Sequence, residues 1–201
     1  MAKRLGIYGG TFNPPHLGHV GAAQSFVRHA GLDELLIIPA ALPPHKNFDG
    51  GASTEDRLKM ARLAFSGVDR ATVSDLEIKR GGKSYTAITL SQLSAPDREL
   101  FFLCGTDMLL TLDTWYDFRT VFKLATICYV RRECDAEITR KIEERISEYK
   151  EKYGARIIVI PTDVIDVSST ELRLAIKSGV GAERYLSPAV YAYVLERGLY
   201  R

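Results

Sequence analysis

The 201-residue sequence has three cysteines, a single tryptophan and almost no excess of either charge. Cys104, Cys128 and Cys134 are odd in number and show no Cys-x-x-Cys spacing, which excludes a disulfide framework and a zinc knuckle. Cys104 and Cys128 lie inside apolar runs, as small core residues do. The 27 Lys and Arg against 25 Asp and Glu leave a formal charge of +2. That is too balanced for a protein that wraps nucleic acid by charge alone. No apolar run is long enough to span a bilayer, and the opening MAKRLGIYGG has no secretory h-region. These absences predict a cytoplasmic protein that engages neither membrane nor nucleic acid. What is present is ordinary globular composition, 46% hydrophobic and 26% charged, which rules out a largely disordered chain. The length predicts a single domain over 1–201, with a helical portion over about 168–201 packed on it.

Six short runs read as strands: Leu5–Tyr8, Leu35–Pro39, Thr72–Ser74, Leu100–Cys104, Thr126–Val130 and Ile157–Ile160. The strongest, LLIIP, LFFLC and RIIVIP, are continuous instead of alternating, the pattern of strands buried on both faces of a parallel sheet. Between them, Val20, Ala23, Phe26, Val27 and Ala30 keep helical spacing up to Gly31. Ser53 is placed to cap a helix carrying Leu58, Ala61, Leu63 and Phe65, with Asp56 at its third position. Further helices are expected over Thr86–Leu93, Ala136–Tyr153, Ser168–Lys177 and Pro188–Arg197. The heavily charged Ala136–Tyr153 segment, with Ile138, Ile142 and Ile146 on one face, reads as a solvated surface. Strand–helix alternation predicts an α/β doubly wound parallel sheet. Its ligands would bind beyond the carboxyl ends of the strands, where strand order reverses. The one long loop, Pro43–Ala52, is of the kind that carries function on a rigid sheet.

Two segments carry candidate chemistry. GGTFNPPHLGH, residues 9–19, follows the first strand. Gly9 and Gly10 allow close backbone approach, and Pro14 and Pro15 stiffen the exit. His16 and His19 stand where the next helix starts, and a helix start is an anion site by its N–H groups and dipole. The segment has neither the GK[ST] ending of a Walker loop nor the GxGxxG fingerprint. VSSTELR, residues 167–173, is a second helix start, where Ser168, Ser169, Thr170 and Arg173 suit a polyphosphate. Ser168-x-x-Glu171 also fits a capping box.

Together these segments resemble the (H/T)xGH and ISSTxIR signatures of the nucleotidylyltransferase superfamily. PPHK (Pro43–Lys46), Ser84-Tyr85-Thr86, GTDMLLTLDTWYDF (Gly105–Phe118) and the ending YVLERGLYR narrow the resemblance to the bacterial nicotinate-mononucleotide adenylyltransferases. Asn13 stands where many members carry Asp, and Thr106 falls at a variable position. The resemblance implies a Rossmann-like, nucleotidylyltransferase-type fold in which ATP and nicotinate mononucleotide are the substrates. It assigns His16, His19 and Arg173 to catalysis. Gly9, Gly10, Thr11, Phe12, Gly105, Asp107, Ser168, Ser169 and Thr170 join them in binding ATP. Lys46, Thr86, Trp115, Tyr116 and Arg131 (with Arg132 beside it) would bind the mononucleotide, Trp115 by stacking on the pyridine ring. Asp107 reads equally as a ribose acceptor, a holder of metal-bound water or a helix N-cap. Lys46 and Arg131 read equally as solvated charges.

The expected reaction is adenylyl transfer giving deamido-NAD and pyrophosphate. It needs no protein nucleophile, which agrees with the lack of a recognisable Ser-His-Asp or Cys-His set. Mg²⁺ is implied, held mainly by the ATP phosphates, since no dedicated carboxylate cage is evident. The competing readings are a related adenylyltransferase acting on nicotinamide mononucleotide or phosphopantetheine, and a non-catalytic ATP sensor. A homo-oligomer is compatible with all of these features.

Overall fold

The computed structural model describes residues 2–42, 51–130, 135–162 and 167–201. Among these, six parallel strands form one sheet: β1 (Lys3–Gly10), β2 (Glu34–Pro39), β3 (Ala71–Val73), β4 (Arg98–Cys104), β5 (Ala125–Val130) and β6 (Ile157–Ile160). Their order is β3-β2-β1-β4-β5-β6. This is a doubly wound, Rossmann-like order, and it reverses between β1 and β4. Ile7 of β1 lies opposite Leu36 on one side and Phe102 on the other.

The continuous apolar strands serve two cores at once. Successive side chains point to opposite faces of a strand. Phe101 and Leu103 of β4 therefore enter one core with Cys128 and Val130 of β5, while Phe102 and Cys104 enter the other with Ile127 and Tyr129. The first core is covered by α1 (Leu17–His29), α2 (Thr54–Phe65), α8 (Ser169–Ser178) and α9 (Pro188–Glu196). The second is covered by α4 (Thr86–Leu93), α5 (Thr106–Leu110), α6 (Phe118–Leu124) and α7 (Ala136–Tyr153). Burial pushes the Cys104 thiol up to about 12, so it behaves as a core residue.

The structure departs from the sequence expectations at several places. The five-residue helices α3 (Leu76–Arg80) and α5, and the seven-residue α6, were not foreseen, because none spans enough turns to display a helical period. β6 is an edge strand, so Ile158 and Val159 are exposed instead of buried on both faces. Nor is α7 merely a solvated face. It buries Ile142 and Tyr149, and its Arg145 and Tyr149 bond to the α5 region. Among the described residues no helix is long and apolar enough to cross a membrane.

Candidate active site

Two glycines end β1, and they serve different purposes. A Cβ on Gly10 would stand 2.8 Å from the Phe12 ring. Phe12 has a φ of 50° and packs its ring edge-on against Tyr8 and Phe65, both at 5.4 Å. Gly10 is thus required by the fold. A Cβ on Gly9 would meet nothing closer than Phe102 Cε2, at 4.0 Å. Packing among the described residues makes no demand for glycine there, and the backbone stays bare.

The chain then enters α1, with His16 as the extended N-cap residue. The His16 N–H donates to His19 Nδ1 at 3.1 Å, which places the proton of a neutral His19 ring on Nε2. The two rings lie 3.7 Å apart, His16 buried and His19 half-buried against Phe12. The expected row of bare N–H groups is shorter than the sequence implied. Leu17 N–H donates to the Tyr185 carbonyl and His19 N–H to the His16 carbonyl. An anion here would rely chiefly on the imidazoles and the helix dipole.

The second helix start lies against the first. Ser169 Oγ donates to the Pro14 carbonyl at 3.0 Å, and Arg173 Nη1 donates to the Asn13 carbonyl at 3.0 Å. Arg173 Nη2 also donates to Thr170 Oγ1 at 3.1 Å. Ser168 forms the capping box with Glu171: its Oγ donates to Glu171 Oε2 and accepts from the Glu171 N–H. The single hydroxyl protons of Ser168 and Ser169 are directed to Glu171 and to the Pro14 carbonyl. Thr170 is exposed, and the Arg173 fork keeps N–H groups beyond its two bonds. These carry the polyphosphate reading at this end.

On the other side of the β1–β4 switch point, Gly105 is the N-cap of α5 and Asp107 is its exposed second residue. This removes the N-cap reading of Asp107. A Cβ on Gly105 would also meet open space. Trp115 follows a 3-10 turn (Leu112–Thr114) and is half-buried, its ring edge-on to Phe102 at 6.3 Å. Phe102 is the same ring that faces Gly9, so Trp115 stands across one side chain from the end of β1. Tyr116 is exposed and lies over Tyr85, with ring centroids 4.6 Å apart. Tyr85 is the N-cap of α4 but offers no side-chain cap, so the helix start at Thr86 is open to an external acceptor. Ser84 is anchored to the chain leaving β2, its N–H on the Leu42 carbonyl and its Oγ under the Ala41 N–H.

Residues 7–175 match the Cytidylyltransferase-like family model. A protein of Desulfatibacillum aliphaticivorans named a probable nicotinate-nucleotide adenylyltransferase is 35% identical over 98% of this chain and 99% of its own length. One of the same name from Synechococcus sp. is 38% identical over 98% of this chain and 95% of its own. This chain belongs to the nicotinate-nucleotide adenylyltransferase family. The fold agrees with a Plasmodium falciparum nicotinic acid mononucleotide adenylyltransferase complexed with NaAD. It matches at a TM-score of 0.76 and 16% identity over 98% of this chain and 97% of the other.

The structure brings together much of the set expected from the sequence. Gly9, His16, His19, Thr170 and Arg173 gather at the end of β1, and Gly105, Asp107, Thr86, Trp115 and Tyr116 gather beyond β4. Thr11 is half-buried beside them, and its carbonyl accepts from Arg57 Nη1 at 2.9 Å. The Phe12 ring is buried in the core, which leaves its backbone as the part nearest the loop surface. His45, Lys46, Arg131 and Arg132 lie outside the described residues.

Several residues make tertiary contacts that the sequence does not show. Arg57 is fully buried and also donates to the Ala41 carbonyl, fastening the loop after β1 to α2. Burial pushes its guanidinium below the usual arginine range. Its spacing from Met60, Ala61 and Ala64 puts it on the apolar face of α2, which was the available signal. Asp56, its neighbour, accepts from Tyr193 Oη at 2.8 Å and from Arg197 Nε at 3.3 Å. Asp113 accepts from Arg145 Nη2 at 2.7 Å and from Tyr149 Oη at 3.0 Å, bracing the turn that carries Trp115. Among the described residues, no group of three His, Cys, Asp or Glu side chains is placed to hold a metal ion.

Proposed function

We propose that this protein transfers the adenylyl group of ATP to nicotinate mononucleotide, yielding deamido-NAD and pyrophosphate in NAD biosynthesis. The observation that carries the reading is the pair of bonds from Ser169 to Pro14 and from Arg173 to Asn13, in a chain of this family. They bring two phosphate-suited helix starts to one end of the sheet, beside a half-buried tryptophan.

A phosphate oxygen of the mononucleotide attacks the α-phosphorus of ATP. The new P–O bond forms as the bond to the departing pyrophosphate breaks, in line. The protein contributes position and charge. His19, with Nε2–H as its donor edge, and His16 beside it serve the α-phosphate. Thr170 and Arg173 hold the outer phosphates. The open start of α4 at Thr86 accepts the nicotinate carboxylate, while Trp115 stacks on the ring with Tyr116 alongside. Asp107 is offered to the nucleotide from the end of β4. Mg²⁺ held by the phosphates supplies charge neutralisation when bound, a role that asks for no protein cage. A cytoplasmic setting, where ATP is abundant, goes with this reading.

The test is pyrophosphate release from ATP and Mg²⁺ with nicotinate mononucleotide, nicotinamide mononucleotide or phosphopantetheine in turn. The nicotinate form should give the highest kcat/KM and a product of deamido-NAD mass. Preference for phosphopantetheine, or no turnover with any acceptor, overturns the proposal.

A further inference from the structure

The residues after α9 reach back beneath the loop that leads to His16. Tyr200 is buried, and its hydroxyl donates to Asn13 Oδ1 at 2.6 Å, 187 residues away in sequence. The backbone is adapted to this placement. Tyr200 adopts a φ of 65°, a left-handed conformation that a bulky residue rarely takes. Its ring lies beside Gly51, where an added Cβ would stand 3.3 Å from Tyr200 Cδ1. Met60 Sδ lies 4.0 Å from the hydroxyl. Burial pushes the phenol well above its ordinary value, so it stays protonated and remains the donor.

Asn13 is a junction. Its side-chain oxygen accepts from Tyr200, and its backbone carbonyl accepts from Arg173. Three residues on stands His16, and the intervening Pro14 carbonyl accepts from Ser169. Whatever holds Asn13 thus sets the spacing between the His16–His19 pair and the Arg173 fork. We propose that Tyr200 is a positioning residue for adenylyl transfer, acting through Asn13 to hold the two phosphate-binding helix starts in register. A strained backbone and a buried hydroxyl aimed at one side-chain oxygen are more than core filling needs, since phenylalanine would fill the same volume.

The inference rests on the proposed reaction, and wild-type turnover in the same assay tests that reaction separately. Tyr200→Phe keeps the ring and removes only the donor. It should lower kcat roughly tenfold, the scale of a small misplacement of reacting groups, while KM for ATP stays within about twofold of wild type. Asn13→Ala should lower kcat at least as far, and adding Tyr200→Phe to it should cost nothing more, because the two residues act as one unit. Asn13→Asp keeps an acceptor for the phenol and should retain most of the turnover. Melting temperatures of each variant, read by circular dichroism, keep folding apart from rate, with kinetics taken well below every transition. Wild-type kcat in folded Tyr200→Phe overturns the proposal, as do losses that multiply in the double variant. If Tyr200→Phe does not fold, Asn13→Asp decides alone: a kcat as low as that of Asn13→Ala overturns it.

Discussion

Arg173 Nη1 donates to the Asn13 carbonyl at 3.0 Å, across 160 residues of chain. The same guanidinium reaches Thr170 Oγ1 from its other terminal nitrogen. A planar fork makes both bonds and still presents N–H groups outward, whereas an ammonium is a point charge without that geometry. Arg173→Lys should therefore lower kcat/KM for ATP by on the order of tenfold or more, the scale of one lost charge-assisted hydrogen bond. Arg173→Ala should be worse. Unaltered ATP kinetics in Arg173→Ala would reduce the residue to a structural tie.

His19 is held by the bond from the His16 N–H to its Nδ1, which leaves Nε2–H as the donor. His19→Ala should lower turnover by about 10²–10³-fold, the cost of removing one preorganised donor. KM for ATP should move much less. Near-normal kcat under single-turnover conditions would take His19 out of catalysis.

The two substrate-end elements should separate in their effects. If Trp115 stacks on the pyridine ring as proposed, Trp115→Ala removes a face that nicotinate and nicotinamide rings would share, so KM should rise by similar factors for both mononucleotides. Thr86 is the first residue of α4, a position where proline fits the helix, and the change removes the backbone N–H together with the threonine hydroxyl. Thr86→Pro should thus impair the nicotinate form selectively, by about tenfold for one unmade bond to a carboxylate. Loss of acceptor preference in Trp115→Ala, instead of in Thr86→Pro, would relocate the carboxylate contact.

Asp113 ties α7 to the Trp115 turn through Arg145 and Tyr149. Asp113→Ala should loosen that turn and raise KM for the mononucleotide severalfold, with KM for ATP little changed. Titration of Trp115 fluorescence with each substrate would show it. Equal changes for both substrates would argue for a general loss of stability.

Asp56 gives the protein a pH signature. Burial by itself raises its pKa, but hydrogen bonds from Tyr193 and Ser53, with the Arg197 charge, outweigh this and hold it below the ordinary carboxylate value. A carboxylate with a depressed folded pKa stabilises the fold above its unfolded pKa, and that contribution is lost as pH falls through the folded value. Wild type should melt above Asp56→Asn by a margin that is full at neutral pH and shrinks below about pH 4. A margin that does not change with pH would mean the charge is immaterial.

Much of this was legible in the chain itself. Continuous apolar runs such as LFFLC announced strands buried on both faces. Ser53 with Asp56, and Ser168 with Glu171, announced helix starts, because caps act over three residues and are local by nature. The glycines and histidines of residues 9–19 and the SSTELR segment marked two further helix starts for the same reason: each is a short-range device with its own residue pattern.

What only the tertiary structure decided are the contacts between distant segments. Nothing in the order of residues says that Ser169 gives its hydroxyl proton to Pro14, that Arg57 carries the Thr11 carbonyl, or that the Phe12 ring turns into the core. The short helices α5 and α6, and the brace from α7 to Asp113, exist because packing supplies what their few turns lack. Local pattern determined where an anion could sit. The pairing of Asn13 with Arg173 and Tyr200 determined that the two helix starts lie side by side, because a hydrogen bond between residues 160 or 187 positions apart forms only once the sheet has brought them together.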